Sequence, residues 1–247
     1  VGKDTNDGWT PETARHSLVE AVRDAVAGDV IHAAEGVYDE KSAIYPGKTV
    51  CPARVVLTNR VTLVADGDVA KTVIKGQLDA TEGDDEKRGP NGIRCATLCG
   101  NSRLVGFTLT DGRSGKATDN TEPNNAGGVY SDGCVVSDCV ITNCCAMRFA
   151  AAQNTVLVRC RILDNRAANN GNATGGGSLY GCYLDGNNGK AGWLVNSTAD
   201  IIGCTITGNN KGEFSAMAST RMIDTVCLCP TRTTSLPPEM TVISNCV

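Results

Sequence analysis

Residues 160–165 read Cys-Arg-Ile-Leu-Asp-Asn, a phrase with a cysteine, an aliphatic residue two places later and an asparagine three places after that. The phrase returns at 182–187 and at 204–209. A fourth copy begins at Cys139 and has its asparagine one place earlier, at Asn143. The four cysteines are 21, 22 and 22 residues apart, a period typical of solenoids, in which each repeat stacks on the next. The alternation inside the phrase predicts that each repeat contributes a β-strand.

This alternation also predicts a core. If the four cysteines point inward, the residues two places before and two places after them point inward as well. Those before are Ser137, Val158, Tyr180 and Ile202, and those after are Ile141, Ile162, Leu184 and Ile206. The same frame continues at Val105, Phe107 and Leu109 upstream, and at Ile223, Thr225, Cys227, Ser244 and Cys246 downstream. These columns are almost wholly apolar, which predicts one core running through seven segments.

Two or three short strands in each repeat, all wound in one sense, predict an all-β protein with a parallel β-helix. Asparagine suits a corner of such a coil because it tolerates a left-handed backbone and can hydrogen-bond its counterpart one turn away. The predicted corner ladder is Asn165, Asn187 and Asn209, and the predicted interior column is Cys139, Cys160, Cys182 and Cys204.

Two hypotheses stay open for the cysteine column. In the first, the cysteines are small apolar core residues. In the second, some of them form disulfides, since strands ~4.8 Å apart fall within the roughly 4.4–6.8 Å Cα separation that a disulfide needs.

The N-terminal region is predicted to cap the coil. Residues 11–27 have an apolar stripe at helical spacing, begin after Thr10 and stop at Gly28, which predicts an amphipathic helix. The whole chain, 1–247, is predicted to be a single domain with coils from 29 onward. Three insertions interrupt the coils, near 76–91, 112–127 and 230–238. No comparable cap follows at the C-terminal end, so we expect that end to stack on more chain or on another copy.

Composition excludes several classes of function. The net charge is -4 and basic residues form no long block, which excludes nucleic-acid binding through a basic surface. No apolar stretch reaches the roughly 18 residues of a membrane span. The chain has 13 cysteines but no Cys-x-x-Cys pair, so a zinc ribbon is not predicted.

The residues 17–22 and 27–38 resemble the cap and first coil of secreted polysaccharide lyases. The stretch 104–112 and the cysteine phrases are similar to those of many adhesin-like surface proteins. The chain therefore resembles the right-handed parallel β-helix superfamily typified by pectate lyases, and an extracellular or cell-surface location is what the resemblance implies. The matching positions are core, corner and cap positions, which specify fold better than function.

The resemblance also suggests where chemistry could occur. Hydrolases of this fold use paired carboxylates, but the single Asp-Asp pair lies in the first insertion, so no catalytic residue is predicted. Lyases need a cation or arginine beside a uronate carboxylate. A surface that could contact an acidic glycan consists of Asp138, Arg159, Arg161, Tyr183 and Asp185. The alternative is an ordinary solvated sheet face with cross-strand ion pairs.

The first insertion could instead hold a metal ion. Asp79, Asp84 and Asp85 supply the hard oxygen ligands that Ca²⁺ prefers. A solvated loop is the competing interpretation, because Lys87 and Arg88 lie in the same run. No other cofactor is predicted.

Two functional hypotheses follow. The first is an extracellular β-solenoid with a structural or adhesive role, which binds glycans or stacks end to end into a fibre. The alternative is a polysaccharide (uronate) lyase or a catalytically inactive relative of one.

Overall fold

The computed structural model describes residues 2–45, 51–115, 125–168, 173–189, 195–196, 200–209, 221–228 and 241–243. Its helices are a 3-10 turn at Pro11–Thr13 and α1 at Leu18–Arg23. The strands are β1 (Val30–Ala33), β2 (Gly36–Tyr38), β3 (Ala53–Leu57), β4 (Thr62–Ala65), β5 (Thr72–Lys75), β6 (Arg94–Leu98), β7 (Arg103–Val105), β8 (Thr108–Thr110), β9 (Val129–Ser131), β10 (Val135–Ser137), β11 (Val140–Thr142), β12 (Cys145–Ala146), β13 (Ala152–Gln153), β14 (Val156–Val158), β15 (Arg161–Leu163), β16 (Arg166–Ala167), β17 (Thr174–Gly175), β18 (Leu179–Tyr180), β19 (Tyr183–Asp185), β20 (Asn188–Gly189), β21 (Val195–Asn196), β22 (Asp200–Ile202), β23 (Thr205–Thr207), β24 (Arg221–Ile223), β25 (Val226–Leu228) and β26 (Thr241–Ile243).

These strands form four sheets in which every named pair is parallel. Sheet A has the order β1-β4-β7-β10-β14-β18-β22-β24-β26 and sheet B the order β2-β5-β8-β11-β15-β19-β23-β25. Sheet C runs β21-β17-β13-β9-β6-β3, and the short sheet D runs β12-β16-β20. Each turn of the chain gives one strand to sheet A, then to B, and in most turns to C. The fold is therefore a right-handed parallel β-helix, as predicted.

The N-terminal cap is shorter than the predicted helix over 11–27. The 3-10 turn ends at Ala14, whose ψ of 145° is extended, and Ser17 then starts α1 by accepting a hydrogen bond from the Glu20 amide. Leu18 is buried in the core beside the first coils, but Val26, expected in the apolar stripe, is 66% exposed. The prediction of one continuous helix was wrong because two separate capping residues start two short segments. No described helix is long and apolar enough to cross a membrane.

One half of the predicted core frame was also wrong. The residues two places after the cysteines are fully buried, as predicted. The residues two places before them, Ser137, Val158, Tyr180 and Ile202, are only half-buried and lie on the outer face of sheet A, as do Val105 and Ile223. The inward residues of those strands are Leu104, Val136, Leu157, Leu179, Ile201 and Met222.

The cause is a bend between sheets A and B. The residue before each cysteine has a left-handed backbone, with φ of 56° at Asp138, 50° at Arg159, 61° at Gly181 and 63° at Gly203. This bend shifts the inward–outward alternation by one place, so the residue two before a cysteine faces solvent. Upstream and downstream, Phe107, Leu109 and Thr225 are buried as predicted, while Ser244, Cys246 and the side chain of Cys227 lie outside the described residues.

The four cysteines of the repeat phrase form an interior column. Cys139, Cys160, Cys182 and Cys204 are each at most 2% exposed, and the ten cysteines whose side chains the structure describes are buried with free thiols. Each column thiol donates to the carbonyl oxygen two residues earlier, at 3.1–3.5 Å. The Phe107 amide precedes the column and donates to the Cys139 sulfur, and the Thr225 hydroxyl continues the column after Cys204. The core hypothesis therefore describes these cysteines, and the disulfide hypothesis does not.

The three asparagines of the repeat phrase form a buried ladder at one corner of the coil. Asn165, Asn187 and Asn209 are each at most 1% exposed. The Asn165 Nδ2 donates to Asn187 Oδ1 at 2.9 Å, and the Asn187 Nδ2 donates to Asn209 Oδ1 at 2.8 Å. In the preceding turn the ladder position is held by Cys144, whose amide donates to Asn165 Oδ1. Asn143 is exposed and lies outside the ladder.

The buried thiols predict an alkaline loss of stability. Burial raises the pKa of Cys139 to about 12, whereas an unfolded thiol ionises near ~8.5. Between these values the folded state holds a proton that the unfolded state has lost, so stability is full below about pH 8.5 and falls as pH rises towards 12. We expect thermal unfolding curves to show a smaller alkaline loss in Cys139→Ala than in the parent chain. Equal losses in the two proteins would contradict the prediction.

Candidate functional site

The predicted glycan-contact residues lie around the bend between sheets A and B, close to the middle of the coil. Asp138 and Arg159 are the residues of the bend itself in consecutive turns. Arg161 and Tyr183 are paired across β15 and β19, and Asp185 lies two residues further along β19. The structure therefore brings all five together on the outside of the coil, and we call them the charged surface.

Asp138 and Arg159 form a bidentate ion pair. The Arg159 Nε and Nη2 atoms lie 2.7 Å from Asp138 Oδ1 and Oδ2 respectively. Hydrogen bonding from Arg159 lowers the pKa of Asp138 below its usual range, so the carboxylate stays ionised. Both side chains remain largely exposed, at 64% for Arg159 and 41% for Asp138. The guanidinium is therefore held in place while part of it still faces solvent.

Arg161 and Tyr183 form the second part of the charged surface. Arg161 is exposed, and it neighbours the half-buried ring of Tyr183 on the outer face of sheet B. The Tyr183 hydroxyl donates to Asp185 Oδ2 at 3.2 Å, which fixes the ring position. Partial desolvation, and then the charge of Asp185, raise the pKa of Tyr183 above its usual value. The phenol thus stays protonated at neutral pH.

The charged surface offers three kinds of contact along adjacent turns. The guanidinium groups can pair with a carboxylate, the tyrosine ring offers an apolar face, and the aspartates accept hydrogen bonds from hydroxyl groups. The surface is open rather than enclosed, so it suits an extended chain lying across the strands more than a small ligand, which usually occupies a concave pocket.

The proposed calcium ligands are arranged differently. Asp79 is fully buried, and its carboxylate accepts hydrogen bonds from Thr81 and Asn91, which lower its pKa to about 2. Asp84 accepts hydrogen bonds from the Glu86 and Lys87 amides, and Asp85 is exposed. Among the described residues, no group of three acidic, histidine or cysteine side chains could hold a metal ion. Calcium binding therefore stays a prediction without geometric support.

Sequence reasoning missed a cluster of arginines where the insertions meet the coil. The first insertion is anchored by Arg88, which is hydrogen-bonded to the Glu86 carboxylate at 2.9 Å and to the Gly115 carbonyl at 3.0 Å. Arg113 donates to the carbonyl oxygens of Glu86 and Asn143. Arg166 lies 3.8 Å from the same Glu86 carboxylate. These contacts tie the insertion at 76–91 to successive turns, which explains why a loop so rich in charge is held against the coil.

A small cavity lies beneath the N-terminal cap. It has a volume of about 20 Å³ and is lined in part by Leu18, Tyr38 and Arg54. A space of this size holds about one water molecule, so it is too small to receive a sugar ring.

Comparison with known proteins supports the fold. No protein-family model and no curated protein matches the chain. Among solved structures, the chain is similar to pectin methylesterase PemA from Erwinia chrysanthemi, with 13% sequence identity, a TM-score of 0.52 and coverage of 92% of this chain and 77% of that chain. It is also similar to a mutant pectin methylesterase in complex with a hexasaccharide, with 13% identity, a TM-score of 0.53 and coverage of 89% and 77%. Similarity at this level of identity shows the shared β-helix alone.

Proposed function

We propose that this protein binds an acidic, uronate-containing polysaccharide outside the cell, along the charged surface. The observation that carries the proposal is the alignment of exposed Arg161 with the half-buried ring of Tyr183 on neighbouring strands. Arg159 lies two residues before Arg161 and is held by its two hydrogen bonds to Asp138. The ring and the two guanidinium groups thus form one patch, in which a carboxylate and the face of a sugar can be contacted together.

Charge and side-chain order favour binding at this surface. An arginine–carboxylate contact is among the stronger hydrogen-bonded pairs, and it is directional because the guanidinium is planar. The Asp138 contact holds the Arg159 guanidinium in place, so binding there orders fewer side chains than a mobile loop would require. The pectin methylesterases of similar fold, one of them in complex with a hexasaccharide, support a saccharide as the ligand class.

Binding is better supported than lyase chemistry. A lyase needs a base to remove a proton beside the uronate carboxylate. Desolvation raises the pKa of the Tyr183 phenol, which therefore stays protonated at neutral pH and offers no base, so the lyase alternative depends on the arginines of the charged surface. The structural and adhesive hypothesis has no supporting contact in the described part of the chain beyond this same surface, so glycan binding comes first.

Replacing Arg161 tests the proposal. We expect Arg161→Ala to weaken binding of polygalacturonate about tenfold, because it removes one charge-assisted contact, and to leave the fold intact because the side chain is exposed. The matched control is Arg166→Ala, since Arg166 lies in the same turn, is 53% exposed and faces away from the charged surface on sheet D. Calorimetry with polygalacturonate and with neutral dextran measures the difference.

Three outcomes decide the matter. Equal losses from Arg161→Ala and Arg166→Ala would show general charge attraction and would contradict the proposed surface. Binding of dextran as tight as that of polygalacturonate would contradict the uronate. Release of unsaturated sugar ends, followed by ultraviolet absorbance and abolished in Arg161→Ala, would replace binding by the lyase alternative.

A further inference from the structure

The outer face of sheet A carries a column of apolar residues that lies outside the core. Consecutive strands of this sheet are in register, so the last outward-facing residue of each strand lies beside its counterparts in the turns above and below. All of the apolar members are half-buried in the isolated chain. They are Val64, Val105, Val158, Tyr180, Ile202 and Ile223.

A solvated sheet face normally alternates apolar-in with polar-out. Here the outward position is apolar in six of the seven turns from β4 to β24, and the exception is Ser137. The column spans six strand spacings, or about 29 Å. An apolar stripe on an exposed sheet face, here interrupted at Ser137, favours an interaction surface.

We propose that this column is the contact face of a dimer formed with a second copy of this chain, the two coils running in opposite directions. The two-fold axis lies along β14. Such an axis keeps each position along the strand and reverses the order of the turns, so the turn two before β14 faces the turn two after it.

The sequence of the column is self-complementary under this axis. Ser137, the small member, lies one turn before Val158, and Tyr180, the aromatic member, lies one turn after it. The dimer therefore places each serine against the tyrosine of the second copy, so a small residue receives a large one. By the same symmetry, Val105 faces Ile202 and Val158 faces its own counterpart.

Two charged residues also pair under this axis. They lie two residues before the apolar column in their strands, on the same outer face of sheet A. Arg103 is exposed two turns before β14, and Asp200 lies two turns after it at the same position along the strand. The antiparallel arrangement brings Arg103 of one copy to Asp200 of the other, although Asp200 also has an interaction within its own chain. A two-fold axis parallel to the coil would give a different contact. It would set the apolar column of one copy against the residues at the Arg103 position of the other copy. The antiparallel arrangement avoids this mismatch.

The area of the apolar column limits the affinity of the proposed dimer. A stripe about 29 Å long and three residues (about 10 Å) wide is smaller than the ~800 Å² per partner of a standard interface. We therefore expect a weak, reversible dimer, populated at high micromolar protein and dissociated at nanomolar protein.

Sedimentation velocity of the full chain over this concentration range tests the proposal. We expect Val158→Asp to raise the dissociation constant about a hundredfold or more, because the axis sets the two new carboxylates against each other. The control is Val140→Asp, the same change at an equally half-buried outward position on sheet B. We expect this control to dimerise like the parent chain.

The pair of Arg103 and Asp200 tests the antiparallel arrangement of the two copies. We expect Arg103→Asp to weaken the dimer about tenfold and the double variant Arg103→Asp with Asp200→Arg to restore it. A parent chain that stays monomeric throughout, a Val158→Asp variant that still dimerises, or no restoration in the double variant would overturn the proposal. So would growth beyond the dimer, which would indicate end-to-end stacking instead of a closed pair.

Discussion

Replacing Asn187 by alanine is expected to lower the free energy of unfolding by about 4 kcal/mol. Asn187 is 1% exposed, and its Nδ2 donates to the Ile162 carbonyl at 2.7 Å and to Asn209 Oδ1 at 2.8 Å. Its Oδ1 accepts from the Asn165 amide at 3.1 Å. Alanine leaves these groups buried without partners, and each such group costs roughly 1–3 kcal/mol.

Denaturant unfolding measures the change, and the sequence offers a matched control. Asn143 belongs to the first copy of the same phrase but is exposed, with a left-handed φ of 51°. Glycine accepts that backbone, so we expect Asn143→Gly to change stability by less than about 1 kcal/mol. Comparable losses at the two positions would contradict a structural role for the ladder.

The second large effect distinguishes two neighbouring isoleucines. Ile201 is 1% exposed in the core, whereas Ile202 is half-buried on the outer face of sheet A. We expect Ile201→Ala to cost about 3 kcal/mol through lost burial and the cavity that remains, and Ile202→Ala to cost less than about 1 kcal/mol. Both are measured by denaturant unfolding.

Working at low protein concentration separates the effect of Ile202→Ala on folding from its effect on the proposed dimer. At nanomolar concentration, where we expect the monomer, the loss at Ile202 reports the single chain alone. If Ile202→Ala cost as much as Ile201→Ala under those conditions, the alternation inferred from the repeat phrase would be right and the bend at Gly203 would be misplaced.

The repeat phrase predicted the fold because it contains most of what determines a β-helix. The period gives the stacking, the cysteine and the aliphatic residue after it give the core, and Asn165 with its counterparts gives the corner. The core and corner positions lie within six places of one another, and the period is the return of that phrase every 21 or 22 residues. Local patterns of this kind are read directly from a sequence.

The outward column on sheet A could not be predicted in the same way. Strict alternation placed Val158 and Tyr180 in the core, and only the left-handed backbone at Arg159 and Gly181 reverses them. Glycine at 181 and 203 is a signal for such a bend, but arginine at 159 is not. The contact of Arg113 with Glu86 and the nearby Arg88 was missed for another reason, since Arg113 belongs to the second insertion and meets the first one only in three dimensions.

The neighbour relations in the charged surface follow from the repeat period, which places 138 beside 159 and 161 beside 183, whereas its glycan contact stays a prediction. That Arg159 uses two of its nitrogens on Asp138 follows from side-chain geometry. The protonated state of Tyr183 likewise depends on its partial burial and on Asp185.

The asparagine ladder has a consequence for how the coil can vary in length. The side-chain amides of Asn165 and Asn187 are each bonded both to the turn before and to the turn after, so a register error of one residue would break two contacts at once. Turns that carry the ladder can be duplicated or deleted only as whole units of 21 or 22 residues. The earlier turns have Gly112 where later ones have Cys144 or Asn165, and it is there that the long insertions lie. The turns that carry the asparagine ladder thus have a fixed length, whereas the earlier turns tolerate insertions.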